Sequence, residues 1–201
     1  MVRNTREAIQ TALAHAYLGN TNTANFTTYL CPIDSSPGNA AYIMANAVQM
    51  AKVRAAVNGF KDKNISDFLN YVYGPDVEAM HKQEKQQNLA HTVALRAFNG
   101  SYSGKKATRL KQIAWLAVED ARMGILMTKP MPQVQYIEAT GIGQNHWYRD
   151  GEPFRRKALE VLSGFDKTGV GIVSITVRQI CEAESDYTQP TKPLTRGVFG
   201  L

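Results

Sequence analysis

Gln144, Asn145, His146, Tyr148 and Arg149 crowd into one short stretch, QNHWYR, and each carries a side chain suited to a nucleic acid. Gln and Asn can pair bidentately with adenine in the major groove, and Arg can do the same with guanine. Tyr and His reach phosphates or base edges. Just beyond, Arg155, Arg156 and Lys157 form a basic cluster suited to the phosphate backbone. A second basic run, Lys105, Lys106, Arg109 and Lys111, contains no acidic residue. At the start of a helix such a run opposes the macrodipole and costs some stability. An anionic neighbour, duplex DNA or nascent RNA, would offset that cost; a merely solvated face is the other reading of the run.

The remaining reactive side chains do not assemble into a catalytic or metal-binding pattern. HExxH, GxSxG and P-loop sequences are absent, and TGVGIV at 168–173 lacks the lysine of a phosphate loop. Of His15, His81, His91 and His146, only His81 and His91 share a predicted helix, and there they fall out of phase. The adjacent carboxylates Glu119 and Asp120 could ligate magnesium, but Arg122 follows them, and a helix-surface salt bridge is the simpler reading. Cys31 and Cys181 lie far apart with no CxxC, which argues for reduced thiols rather than a zinc knuckle or a disulfide framework. No catalytic residue, metal or cofactor is expected.

Composition agrees with a binding protein. A chain of 201 residues, 44% hydrophobic and 20% charged, suits one domain or two small ones. Its net charge of +6 favours an anionic partner, either nucleic acid or a nucleoprotein machine. The start, MVRNTREAIQ, lacks the apolar run of a signal peptide, and no stretch approaches the roughly 18 apolar residues of a membrane span. A cytoplasmic protein with no membrane partner is expected.

Helical periodicity dominates the chain that must position these residues. Asn4 and Glu7 form a capping-box variant before Ala8, Ile9, Ala12, Leu13, Ala16 and Tyr17. A polar loop follows to Gly38, then helices are predicted over 39–57, 66–72, 76–98 and 105–126. The 76–98 helix is the longest of these and is polar on every side at HKQEKQQN, so it is solvated or held by partners. In the 105–126 helix Leu110, Ile113, Ala114, Ala117, Val118 and Ala121 make one apolar face. A helix over 153–162, a break at DKTGVG, and an ambiguous GIVSITVRQICEAE read as helix complete the series.

The QNHWYR stretch follows the breaker TKPMP and fits a helix-turn-helix over 131–152. Its first helix would span 131–140, with Val134 and Ile137 toward the core. Gly141 would take the left-handed turn and Ile142 would close the core from it. The second helix would start near Gly143 with Trp147 as its buried anchor and the polar side chains outward. The fold class is therefore mainly α: a multi-helix protein with a C-terminal helix-turn-helix. Its expected parts are an N-terminal helical region (1–100), a helical DNA-binding region (101–184) and an irregular C-terminal arm (185–201).

NHWYRDGEPFRRKALEVL resembles the C-terminal region of the Q-type late-gene antitermination proteins of lambdoid phages, in which a Trp-x-Arg precedes a proline and another helix. GKKATRLKQIAWLAVEDARM resembles the preceding helix of that family. The similarity covers roughly residues 100 to 165. The best-known members carry a zinc-binding cysteine cluster between these segments. This chain has TKPMP there, so the resemblance is to a zinc-free form. It implies a factor that binds DNA at a late promoter, loads onto paused host RNA polymerase and carries it through terminators. Trp147 would then be the recognition-helix anchor, Arg149 a phosphate or base contact, and Gln144, Asn145 and His146 the base-facing start. A repressor-type regulator or a small DNA-packaging subunit would use the same motif without needing polymerase.

Overall fold

The computed structural model describes residues 5–18, 40–75, 79–98, 104–127 and 129–188. Every regular element among them is helical: α1 (Thr5–Leu18), α2 (Ala40–Asn58), α3 (Lys63–Tyr73), α4 (Ala79–Ala97), α5 (Gly104–Met127), α6 (Gln133–Thr140), α7 (Gln144–His146), a π turn (Trp147–Gly151) and α8 (Glu152–Thr188). Asn4, the polar loop before Gly38 and residues 189–201 lie outside the described residues.

Local chemistry sets several boundaries. Asp62 caps α3 by accepting the Asn64 N–H at 3.0 Å, satisfying one of the donors that a helix start leaves open. The helix stops where the Gly74 N–H returns to the Asn70 carbonyl at 2.9 Å and Pro75 follows. In α5, Leu110, Ile113, Ala114, Ala117 and Val118 are buried at helical spacing. Helices α4 and α5 run antiparallel: Lys82 lies beside Glu119 and Arg122, and Gln86 donates to the Trp115 carbonyl at 3.3 Å.

The main correction concerns α8. It replaces the expected short helix, break and second helix with one helix of 37 residues, and it exceeds the 76–98 segment predicted to be longest. Residues 185–188, assigned to an irregular arm, belong to its last turn. The β-branched run GIVSITV is helical because Val173, Val177 and Ile180 continue the buried stripe begun by Phe154, Ala158, Leu162 and Phe165. Burial of a full stripe outweighs the few tenths of a kcal/mol per residue by which β-branched residues disfavour helix. Gly169 is a packing glycine, not a breaker: a Cβ there would sit 2.9 Å from the Leu69 side chain of α3. Cys181 is disulfide-bonded where a reduced thiol was expected, and Cys31 lies outside the described residues.

Helices α1 to α5 all pack against α8. A buried carboxylate on α8 fastens two of them. Asp166, 4% exposed, accepts hydrogen bonds from the Tyr73 hydroxyl of α3 at 2.7 Å and from Arg6 of α1. Burial, reinforced by that carboxylate, pushes the Tyr73 phenol above its ordinary pKa, so it stays a donor. Phe165, one residue earlier, packs against Phe68 with ring centroids 6.1 Å apart, and the Arg96 guanidinium lies over the Phe165 ring, 5.0 Å from its centroid. Replacing Asp166 with Ala strands the buried Tyr73 hydroxyl. Asp166→Ala should lower stability by about 2 kcal/mol, seen as a lower urea midpoint with an unchanged slope.

Candidate nucleic-acid interface

Helix α6 ends at Gly141, whose φ of 59° and ψ of 26° are left-handed and whose N–H returns to the Ile137 carbonyl at 3.0 Å. Ile142 then buries its side chain, and Gly143, in extended conformation, opens α7 by accepting the His146 and Trp147 N–H groups at 2.9 Å. Three residues thus separate two helical segments. The expected first helix began at Met131; it starts instead at Gln133, after Pro132. Val134, assigned to the core, is 53% exposed, and Tyr136 is buried in its place, while Ile137 is half-buried. Tyr136 is drawn inward by Asp120 and Trp147, and Val134, about 200° round the helix, therefore faces out.

The segment after the turn does not form a uniform α-helix. A π turn spans Trp147–Gly151, with the Glu152 N–H reaching back to the Trp147 carbonyl. Its cause is the indole. Trp147 is fully buried, 5.6 Å from the Tyr136 ring centre, and it occupies the space a side chain at 151 would need. A Cβ at Gly151 would meet Trp147 Cε3 at 2.4 Å. The widened turn and the glycine together let a large ring fold back under its own helix. The indole N–H has no hydrogen-bond partner among the described residues, so packing alone holds the ring.

Asp120 of α5 fixes this corner to the body. It is 2% exposed and accepts from the Met131 N–H at 2.6 Å, the Tyr136 hydroxyl at 2.8 Å, and Arg155 Nη2 and Nε at 2.8 and 3.2 Å. One carboxylate therefore ties α5, the chain before α6, α6 itself and α8. Arg155 also stacks over the Tyr136 ring at 4.9 Å. Burial works against the Arg155 charge, but bonds with Asp120 and Tyr136 overcome it and hold its pKa above the ordinary value. Burial, then the Asp120 charge, pushes the Tyr136 phenol up as well. Arg155, assigned from sequence to phosphate, points inward, and only Arg156 and Lys157 of that cluster are exposed. The sequence held a signal for this: Asp120 lies on the apolar stripe of α5, one turn after Ala117. Its neighbour Glu119 pairs with Arg122 at 3.3 Å and accepts from the Tyr71 hydroxyl.

Gln144, Asn145, His146, Tyr148 and Arg149 are all exposed. The basic start of α5 lies beside them. Lys106, Arg109, His146, Arg149 and Asp150 surround a pocket of about 230 Å³ floored by Leu110 and Ile142. Arg109 reaches toward the Gly141 carbonyl at 3.5 Å. Asp150 accepts from Arg149 at 2.8 Å and lies 3.9 Å from Lys106. The hydrogen bond from Arg149 holds the Asp150 carboxyl below the usual carboxylate range, so it is charged at neutral pH. Two basic segments far apart in sequence therefore meet. Lys105 is exposed nearby on α5, whereas Lys111 faces a different cleft. Among the described residues, no three His, Cys, Asp or Glu side chains gather as metal ligands, and no helix is long and apolar enough to cross a membrane.

Exposed amides and an arginine at a helical corner, backed by lysines, form a polar, basic surface. The chain belongs to the phage antitermination protein Q family, whose model matches residues 35–190. It is a family of transcription antitermination factors of bacteriophages, not a family of enzymes. No curated protein and no solved structure matches the chain.

Removing one member of a buried ion pair leaves the other charge uncompensated. Asp120→Ala should cost about 3 kcal/mol of stability by urea unfolding. With Tyr136 and Arg155 released, the Trp147 emission of the folded variant should also shift to longer wavelength.

Proposed function

We propose that this protein is an antitermination factor that binds duplex DNA at a phage late promoter, loads onto paused host RNA polymerase and promotes read-through of terminators. The observation that carries this reading is the meeting of Gln144–Arg149 with the basic start of α5, in a chain of the phage Q family. In this reading α6 and the segment from α7 onward act as a helix-turn-helix. Gln144, Asn145, Tyr148 and Arg149 are spaced to share one face, which enters the major groove. Arg149 and the two amides read base edges, while Lys105, Lys106, Arg109, Arg156 and Lys157 neutralise phosphates. Trp147, Ile142 and Ile137 hold the reading segment in place, and Arg155 acts through Asp120 as a positioning residue. The region 1–100 supplies the surface for polymerase.

Asp150 has a defined part in this scheme. It occupies Arg149 and borders Lys106 in the free protein, so DNA must displace a carboxylate to gain those cations. A sequence that offers Arg149 a guanine compensates for the displacement; a random sequence does not.

The test is transcription in vitro with purified host polymerase, on a template carrying the cognate late promoter and a downstream terminator. Read-through should require the protein and fall with Arg149→Ala, whose DNA affinity should drop by about 1–3 kcal/mol. Read-through that is absent, or indifferent to Arg149, overturns the reading. Salt-sensitive DNA binding without read-through would move the protein to the repressor or packaging class.

A further prediction isolates the carboxylate. Asp150→Asn should tighten binding to random duplex and steepen its salt dependence, narrowing the ratio of specific to random affinity. Gel shifts across a salt series on both sequences check it.

A further inference from the structure

Helix α5 borders a second cleft. Lys111 lies about 160° round the helix from Arg109, so it faces away from the Arg149 pocket. With Trp115, one turn further on, it forms one wall of a cavity of about 710 Å³. The facing wall is the polar side of α4, where Glu84, Gln87, Asn88 and His91 recur at helical spacing. That volume is within the range of about 300–1,000 Å³ typical of ligand sites.

The lining has a recognisable chemistry. Trp115 is half-buried, anchored through its carbonyl by Gln86, and presents an aromatic surface to the cleft. Gln87, Asn88, His91 and Lys111 have no hydrogen-bond or ion-pair partner among the described residues, although they converge on one cavity. An indole offers a stacking platform to any base. Two side-chain amides offer donors and acceptors for base edges, and Glu84 can accept from an exocyclic amine. Lys111 and His91 supply donors for the phosphate alongside. A duplex does not fit this arrangement, because its bases are already stacked and their faces are hidden. An unstacked nucleotide does.

The geometry points to a single-stranded nucleic-acid site in the α4–α5 cleft, with one base stacked on Trp115 and its phosphate on Lys111. The inference is independent of the duplex-reading corner and rests on different residues. The strand is either RNA or melted DNA; both have the base face and phosphate that the cleft receives, and they differ only at the 2′ position.

The full-length protein is titrated with a short fluorescein-labelled oligouridylate, the matching oligodeoxythymidylate, and a duplex of equal length. The chain has 2 tryptophans, and Trp147 is fully buried, so contact quenching, measured with unlabelled copies of the same strands, reports Trp115. Single strands should quench tryptophan emission, and their affinity, read by anisotropy, should fall roughly tenfold in Trp115→Leu. Lys111→Gln, an exposed substitution with no packing role, should weaken single-strand binding and flatten its salt dependence by about one charge. Arg149→Ala should leave both measurements unchanged. Tighter binding of the ribo form identifies RNA as the strand, and tighter binding of the deoxy form identifies melted DNA. Absence of quenching, quenching by duplex alone, or full single-strand affinity in Lys111→Gln would overturn the site.

Discussion

A single carboxylate, Asp120, determines whether the corner at Gln144–Arg149 has a fixed position at all. Helix α6 has 8 residues, too few to be stable alone, and it is joined to α5 by a chain rich in proline. Asp120 replaces the missing helix length with hydrogen bonds: to the chain before α6, to Tyr136 within it and to Arg155 beyond it. Charge-assisted bonds in a dry site are strong and directional. They also set the height of Tyr136, against which Trp147 packs, and so the orientation of every exposed side chain from Gln144 to Arg149.

The same device recurs on the other side of the core. Asp166 joins α1 and α3 to α8 through a hydroxyl and a guanidinium, as Asp120 joins α5 and α6 to it. Each site pairs an acid with an arginine and a tyrosine whose phenol is kept protonated by burial. Apolar contacts supply the bulk of the cohesion, since the buried stripe of α8 is nearly all Phe, Leu, Val and Ala. They do not specify register, because aliphatic surfaces slide against one another at little cost. The two acid–arginine–tyrosine groups permit only one register.

Local sequence carried most of the helices, because their signals are short-range: the apolar face of α5, the glycine that ends α6 and the proline after Gly74. It failed where a residue's role depends on a distant partner. Gly169 reads as a breaker until Leu69 of α3 is placed against it. Arg155 reads as one of three equivalent cations until Asp120 is found opposite. Val134 reads as a core residue until Asp120 and Trp147 are found holding Tyr136, on the opposite side of the same short helix, toward the core. The junction of Lys106 and Arg109 with His146 and Arg149 was not legible, although both runs were noticed separately, since periodicity within one helix says nothing about which neighbour it meets.

From Gln144 to Thr188 the backbone is helical without interruption, and its only irregular step is the π turn at Trp147–Gly151. The portion past that turn is a rod of roughly 55 Å. The exposed side chains from Gln144 to Arg149 sit just before the rod, and its length packs against five other helices. A twist or tilt imposed at the exposed end has only one place to be absorbed, the widened turn over the indole. Whatever that turn does not take up is delivered as torque to the entire bundle.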